Sequence, residues 1–430
     1  MILFGRVKMR VFNIKDFGAV GDAKTMNTSA IQAAIDECAR AGGGQVLLED
    51  GIYMSGSITL KSGVDFHIEH TATLLGSPNV EDYPEKTSVK HVESFFLPRW
   101  RNASFIFADE AENFSITGRG VIDCNGTAFT VPLENARQWK YIRIDKPTPP
   151  RVVFLTGCKH VLIEGVSMVN QPAGWSYWIH DCDYVTVDKI IIDANVDYPN
   201  NDGIHVNSSR HVTISNSNIT CGDDCIVLRA NNVSLKENKV CEHVTVTNCN
   251  LTSYSSGIRI GWTQDGVIRN CTLSNIVMID TSIGINILVP NNYRTEPHPT
   301  SPTSAGGSDV GRESTLIENL SFNNIIMDRQ CSYPVYIRIC EDIPVSGVRN
   351  LYFSGIHSRG PELPFIQGRE SVHVKNVSFS DSGFTVTDGS EFENRKQHGC
   401  TELKNYDPRH PMVFEYADNV VFNSTSFSYE

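Results

Sequence analysis

The chain has 430 residues, 40% of them hydrophobic and 20% charged, proportions ordinary for a globular protein. No run approaches the ~18 apolar residues of a membrane span, so no membrane partner is expected. A formal net charge of −12 at pH 7 gives a polyanion such as nucleic acid no global field to follow, although a few local cations suffice to hold a carboxylate.

The segment from Met1 to Arg10 lacks the apolar stretch of roughly 7–15 residues that a secretory signal requires, and Met9 is an alternative start. The expected location is therefore cytoplasmic, or periplasmic or secreted if a signal has been removed. Next, Asn27, Thr28 and Ser29 offer caps, and Ile31, Ala34, Ile35 and Cys38 fall on one face until Gly42-Gly43-Gly44 ends the pattern. This predicts an amphipathic helix over about 28–41 that closes the N-terminal end of a repeat array.

The array itself is a degenerate repeat. Asn113-Phe-Ser-Ile-Thr-Gly, His160-Val-Leu-Ile-Glu-Gly, Tyr184-Val-Thr-Val-Asp-Lys, His211-Val-Thr-Ile-Ser-Asn and His243-Val-Thr-Val-Thr-Asn share one pattern. Asn319, Asn350 and Asn419 open later copies. Each copy alternates apolar and polar residues, as a half-buried strand does, and ends on a turn residue, usually Asn or Gly. The starts at 160, 184, 211 and 243 lie 24, 27 and 32 residues apart, a solenoid period without helical periodicity. The predicted fold is all-β: a single-stranded right-handed parallel β-helix with an N-terminal capping helix, one domain over 1–430. Asn suits left-handed turns, and its stacked amides can bond from coil to coil. The N-x-S/T sequons at Asn102, Asn207, Asn232, Asn250 and Asn270 are therefore read as turns rather than glycans. Residues 125–150 and 289–315 break the rhythm and are read as loop insertions. The twelve cysteines are read as buried thiols rather than a disulfide framework or a zinc site.

The chemistry concentrates in Asn200-Asn201-Asp202-Gly203-Ile204-His205 and Cys221-Gly222-Asp223-Asp224-Cys225. Asp223 and Asp224 follow Asp202 by 21 and 22 residues, about one coil. Successive coils sit about 4.7–4.9 Å apart, so three carboxylates converge on one patch. Like charges held together push their pKa values apart, and glycoside hydrolysis needs one carboxyl protonated and another ionised. Spacing alone leaves inversion and retention both open. Three carboxylates also suit calcium, but no metal and no cofactor are expected here.

These motifs resemble the first two signatures of the polygalacturonase-like glycoside hydrolases, family 28. Phe12-Asn-Ile-Lys-Asp-Phe-Gly-Ala-Val-Gly-Asp22, Gly51-Ile-Tyr-Met-Ser-Gly, Thr117-Gly-Arg-Gly-Val-Ile-Asp123 and Pro150-Arg-Val-Val-Phe154 extend the likeness over most of the chain. The resemblance implies an inverting, metal-free hydrolase of pectin-derived or related saccharides. Asp223 would be the general acid, and Asp202 and Asp224 would hold and deprotonate water. The family's third motif, Gly-His-Gly, falls on Ser255-Ser256-Gly257 without its His, and its Arg-Ile-Lys falls on Asn286-Ile287-Leu288. The two cations that grip the uronate are therefore absent, so the expected substrate is not tied to plain galacturonan.

Asn200, His205, Arg229 and Arg259 are candidate substrate contacts, with Arg229 pairing to Asp224 as the structural alternative. Trp175 and Trp178 are candidate stacking platforms, as are Trp262 and Tyr293. The expected partner is a carbohydrate, attacked at chain ends or as an oligosaccharide. A lyase or epimerase on the same scaffold and a non-catalytic carbohydrate-binding β-helix are the rival readings.

Overall fold

The structure, a computed structural model, describes residues 10–88, 103–132, 141–143, 151–172, 174–232, 234–262, 265–289, 314–340, 345–389 and 412–430. It is a right-handed parallel β-helix. One continuous ribbon of eleven parallel strands runs from Ile58–Thr59 to Val413–Glu415, and a larger sheet of parallel strands forms the remaining walls. Within the ribbon, Ile204 pairs with Ile226, Ile226 with Ile258, Ile258 with Ile285 and Ile285 with Val335. All five are fully buried. Each such side chain stabilises the stack by about 1.5–3 kcal/mol relative to exposure, so a one-residue slip would put the whole row into water. The core runs without a break from Ile14 to Phe384.

The corners depend on left-handed residues. Asn113, His160, Tyr184, His211, His243, Asn270, Asn319, Asn350, Asn376 and Asn419 all have φ between 54 and 58°. The C-terminal five form an amide ladder of four bonds, in which each Asn after Asn270 donates its Nδ2 to the Oδ1 of the Asn one coil before at 2.8–3.1 Å. In the middle coils rings replace the amides: His160, Tyr184 and His211 stack in turn and His243 lies tilted against His211, centroids 4.7–4.9 Å apart. Among the sequons, Asn270 belongs to the ladder, Asn250 Nδ2 bonds Asn218 at 2.7 Å and Asn207 is buried. Asn102 lies outside the described residues.

The helix spans Thr28–Arg40 and buries Ile31, Ala34, Ile35 and Cys38 against the first coils. Its capping differs from the expectation. Asn27 stands at the cap position, but its side chain bonds Val20, Thr25 and Met54 and makes no cap bond. Within 125–150, Thr130–Pro132 and Tyr141–Arg143 pair antiparallel outside the solenoid, a short ribbon rather than a plain loop. Residues 133–140 and 144–150 lie outside the described residues, as does nearly all of the second predicted insertion, 290–313. Eleven described cysteines are buried, as expected of packing thiols; Cys400 lies outside them. Among the described residues, no helix is long and apolar enough to cross a membrane.

Candidate active site

Three successive coils meet at one corner of the eleven-stranded ribbon. Gly203 N–H donates to Asp224 O at 2.9 Å and Cys225 N–H to Ser256 O at 2.9 Å, so Asp202, Asp224 and Ser256 stack one above another. Asp223 projects beside them. One carboxylate oxygen from each of Asp202, Asp223 and Asp224 lies within 4.8 Å of the other two, and all three residues are buried. The one-coil spacing in the sequence therefore translates directly into convergence.

Local chemistry fixes each carboxylate differently. Asp223 receives Asn200 Nδ2 at 3.1 Å on Oδ2 and the Asp224 N–H at 3.0 Å on Oδ1. Asp224 Oδ1 receives the Ser255 hydroxyl at 2.8 Å and the Ser256 N–H at 3.0 Å, and its Oδ2 lies 3.7 Å from Arg259 Nη1. Asp202 Oδ2 is 2.9 Å from His205 Nε2, while its buried Oδ1 has no hydrogen-bond partner in the protein. Burial first, then Asp223 and Asp224, hold the Asp202 carboxyl well above the usual carboxylate range. Burial also raises Asp224, against the pull of Arg259 and with the push of Asp223. The patch thus favours keeping a proton among its carboxyls.

Asn201, which the motif contains but the sequence pattern gave no role, ties the two loops together. Its Nδ2 donates to Asn195 O at 2.7 Å and its Oδ1 accepts from Gly222 N–H at 2.7 Å. Gly222 is needed for that approach: a Cβ there would come within 2.5 Å of Tyr198 O and 2.6 Å of Val196 O.

The other candidates divide. His205 stacks on Trp175, with centroids 3.9 Å apart and planes 14° apart, and joins the acid cluster through Asp202. Burial, followed by Arg229, Arg151 and Arg259, pulls its pKa well below the ordinary histidine value, so the ring is neutral. Arg259 lies between core residues Ile258 and Ile260, faces the cleft, and sets its guanidinium 4.1 Å from the Trp262 ring centre. Arg229 pairs with Asp265. Its Nε bonds both oxygens of Asp265, at 2.7 and 3.0 Å, and fully buried Asp265 also accepts the Trp262 N–H. Arg229 therefore braces the next loop. Trp178 is 3% exposed, stacked on Phe154 and covered by the Arg151 guanidinium, so it supports Trp175 from behind. Arg151 and Asp265 are the residues that sequence reasoning missed. The first was visible only as part of the Pro150-Arg-Val-Val-Phe154 match, and the second lies 36 residues from its partner. Tyr293 lies outside the described residues.

Residues 54–350 match the profile of glycosyl hydrolases family 28. A probable polygalacturonase of Vitis vinifera is 27% identical over 286 residues, 64% of this chain, and the chain spans 56% of that relative's length. An endo-polygalacturonase of Pectobacterium carotovorum subsp. carotovorum is 28% identical over 381 residues, covering 84% of this chain and 86% of the relative. A solved hyperthermoactive exopolygalacturonase of Thermotoga maritima superimposes with a TM-score of 0.68 at 21% identity, over 88% of this chain and 87% of that one. At that identity the structural likeness speaks for the fold.

Proposed function

Because this chain belongs to glycosyl hydrolases family 28, we propose that the cleft over Asp202, Asp223 and Asp224 hydrolyses glycosidic bonds in a pectic poly- or oligosaccharide. The observation that carries the proposal is the convergence of three buried carboxylates, each with a different set of donors. Asp223 protonates the leaving oxygen. Burial favours a proton on Asp202 before substrate binds; in the reactive form that proton sits on Asp223, and Asp202 and Asp224, directly opposed on adjacent coils, hold one water between them and take its proton. The open Oδ1 of Asp202 is the acceptor available to that water. Because Ser255, Ser256 and Arg259 occupy the Asp224 oxygens, Asp224 is a poor nucleophile and a good charge-holding partner. The mechanism as proposed uses no metal: Asn200, Ser255, Ser256, Arg259 and the Asp224 N–H already engage the oxygens of Asp223 and Asp224. Action at chain ends or on oligosaccharides is part of the proposal and is tested by comparing the fall in viscosity with the release of reducing ends.

This reading makes the reaction inverting. One observation favours the alternative: oxygens within 4.8 Å are nearer the ~5–5.5 Å usual for retaining pairs than the ~6.5–9.5 Å usual for inverting ones. Proton NMR of the first product formed separates the two. Inversion predicts that the newly freed anomeric carbon first appears in the configuration opposite to that of the bond cleaved. Appearance of the same configuration contradicts it.

A further inference from the structure

Asp202 is fixed at both of its ends by the coil that precedes it. Its backbone carbonyl accepts the Ser176 N–H at 2.9 Å and the Ser176 hydroxyl at 2.7 Å. Its carboxylate is held by His205, whose Nε2 lies 2.9 Å from Oδ2. His205 stands between Ile204 and Val206, both fully buried in the core, so its ring points to the cleft face, in the row of Trp178 and Val227. Trp175, the residue before Ser176, stacks on that ring with centroids 3.9 Å apart. One short stretch of chain thus pins the Asp202 backbone through Ser176 and the His205 ring through Trp175.

The kind of donor matters as much as its place. In the reactive form Asp202 is an anion, and both of its oxygens can only accept. Burial, followed by Arg229, Arg151 and Arg259, keeps the His205 ring neutral, so its single N–H must sit on Nε2 and point at Oδ2. A lysine or arginine in the same place would orient Asp202 as well but would hold its proton affinity down and weaken it as a base. A neutral donor orients the group without that loss. With Oδ2 engaged, the buried Oδ1 is left as the oxygen that takes the proton of water. Trp175 is itself committed to protein contacts: His205 covers one face, and the Arg151 guanidinium lies 5.0 Å from its ring centre.

Given that the acid trio is hydrolytic, we propose that His205 is a positioning residue for the general base. Clamped by Trp175, it donates to Asp202 Oδ2 and leaves Oδ1 set for the attacking water. The pair serves the chemical step rather than sugar binding, the role that the sequence alone suggests for both.

The test measures kcat and KM on rhamnogalacturonan and galacturonan oligosaccharides, using whichever the native protein cleaves faster. His205→Phe keeps a ring against Trp175 and deletes the donor. It should lower kcat by about 10²-fold, the usual cost of a misplaced catalytic group, with KM unchanged, as for an interaction that matters only in the transition state. His205→Gln, whose amide Nε2 can reach the same oxygen, should recover most of that loss, whereas a residue that merely filled space would be better replaced by Phe than by Gln. Calorimetry on the Asp223→Asn background should find the same oligosaccharide affinity with and without His205→Phe. Circular dichroism establishes that each variant is folded. If His205→Phe is not, Trp175→Leu, which frees the ring and keeps the donor, is read in its place and should also lower kcat at unchanged KM. Unchanged kcat with a raised KM or weakened binding overturns the inference and makes His205 a sugar contact, leaving the hydrolase intact. His205→Gln no more active than His205→Phe overturns the hydrogen bond as the cause. Cleavage of neither oligosaccharide by native protein, with no binding by Asp223→Asn, overturns the inference together with the hydrolytic reading on which it rests.

Discussion

Asp202 is stable as an acid and costly as an anion. Its folded pKa lies above the ordinary value of 3.8 because it is buried beside two further carboxyls. The folded state therefore binds its proton more tightly than the unfolded chain does. The resulting stability is fully present below the ordinary pKa and is lost as pH rises through the folded one. His205 works in the opposite sense: its depressed pKa gives stability present above 6.5 and lost as pH falls through the folded value. Asp202→Asn keeps a polar partner for His205 but removes the ionisable group. At pH 7 the variant should melt above native, with the gap closing toward pH 3, while turnover falls by roughly 10²–10⁴, the usual worth of general acid–base catalysis. Thermal melts across pH check this, and a variant that melts below native at pH 7 would contradict it. At this scale the sequence was a good guide to Asp202, Asp223 and Asp224, because one coil separates them. It was a poor guide to Arg229, because its partner Asp265 is set by where the next coil turns, which no local pattern records.

Each coil is held in register by a repeated corner, and the Asn ladder is the part of it most open to test. Asn350 has φ 56°, donates to Asn319 at 2.9 Å and accepts from Asn376 at 2.8 Å. Gly at this position keeps the left-handed turn and loses the amide bonds, together with a smaller cost from the freer unfolded chain. Ala loses the bonds and adds the penalty of about 1–2 kcal/mol that a Cβ incurs in that region. Denaturant unfolding should therefore rank native, then Asn350→Gly, then Asn350→Ala. Equal loss in the two variants would mean that the turn conformation contributes nothing. The repeats and their Asn corners were legible because alternation and turn preference are local properties. Strand lengths were not: strand pairing continues over all thirteen residues of Cys241–Ser253, across the left-handed corner at Asn248. The helix was legible from its apolar face, but the Asn27 cap was misread. Its amide has tertiary partners at Val20 and Met54 that outcompete the helix end.

Across the whole molecule, stacking turns a motif spacing into a site. Parallel coils bring residues about one repeat apart into contact, so three carboxylates, a neutral histidine and a cation gather on one face of the eleven-stranded ribbon. The same stacking carries the cleft floor on to Asn286 and Tyr336. Fold and acid trio could be read from the sequence because both follow from periodicity. The sugar could not, because it depends on which side chains a coil presents outward and which of those are already engaged. The central claim, hydrolysis by the Asp202, Asp223 and Asp224 cluster, is tested most directly by incubating native protein and Asp223→Asn with rhamnogalacturonan and galacturonan oligosaccharides and analysing the products. The account predicts new reducing ends from native protein without any unsaturated, ultraviolet-absorbing sugar, and loss of those ends in Asp223→Asn. An unsaturated product, or release of reducing ends undiminished by Asp223→Asn, would contradict it.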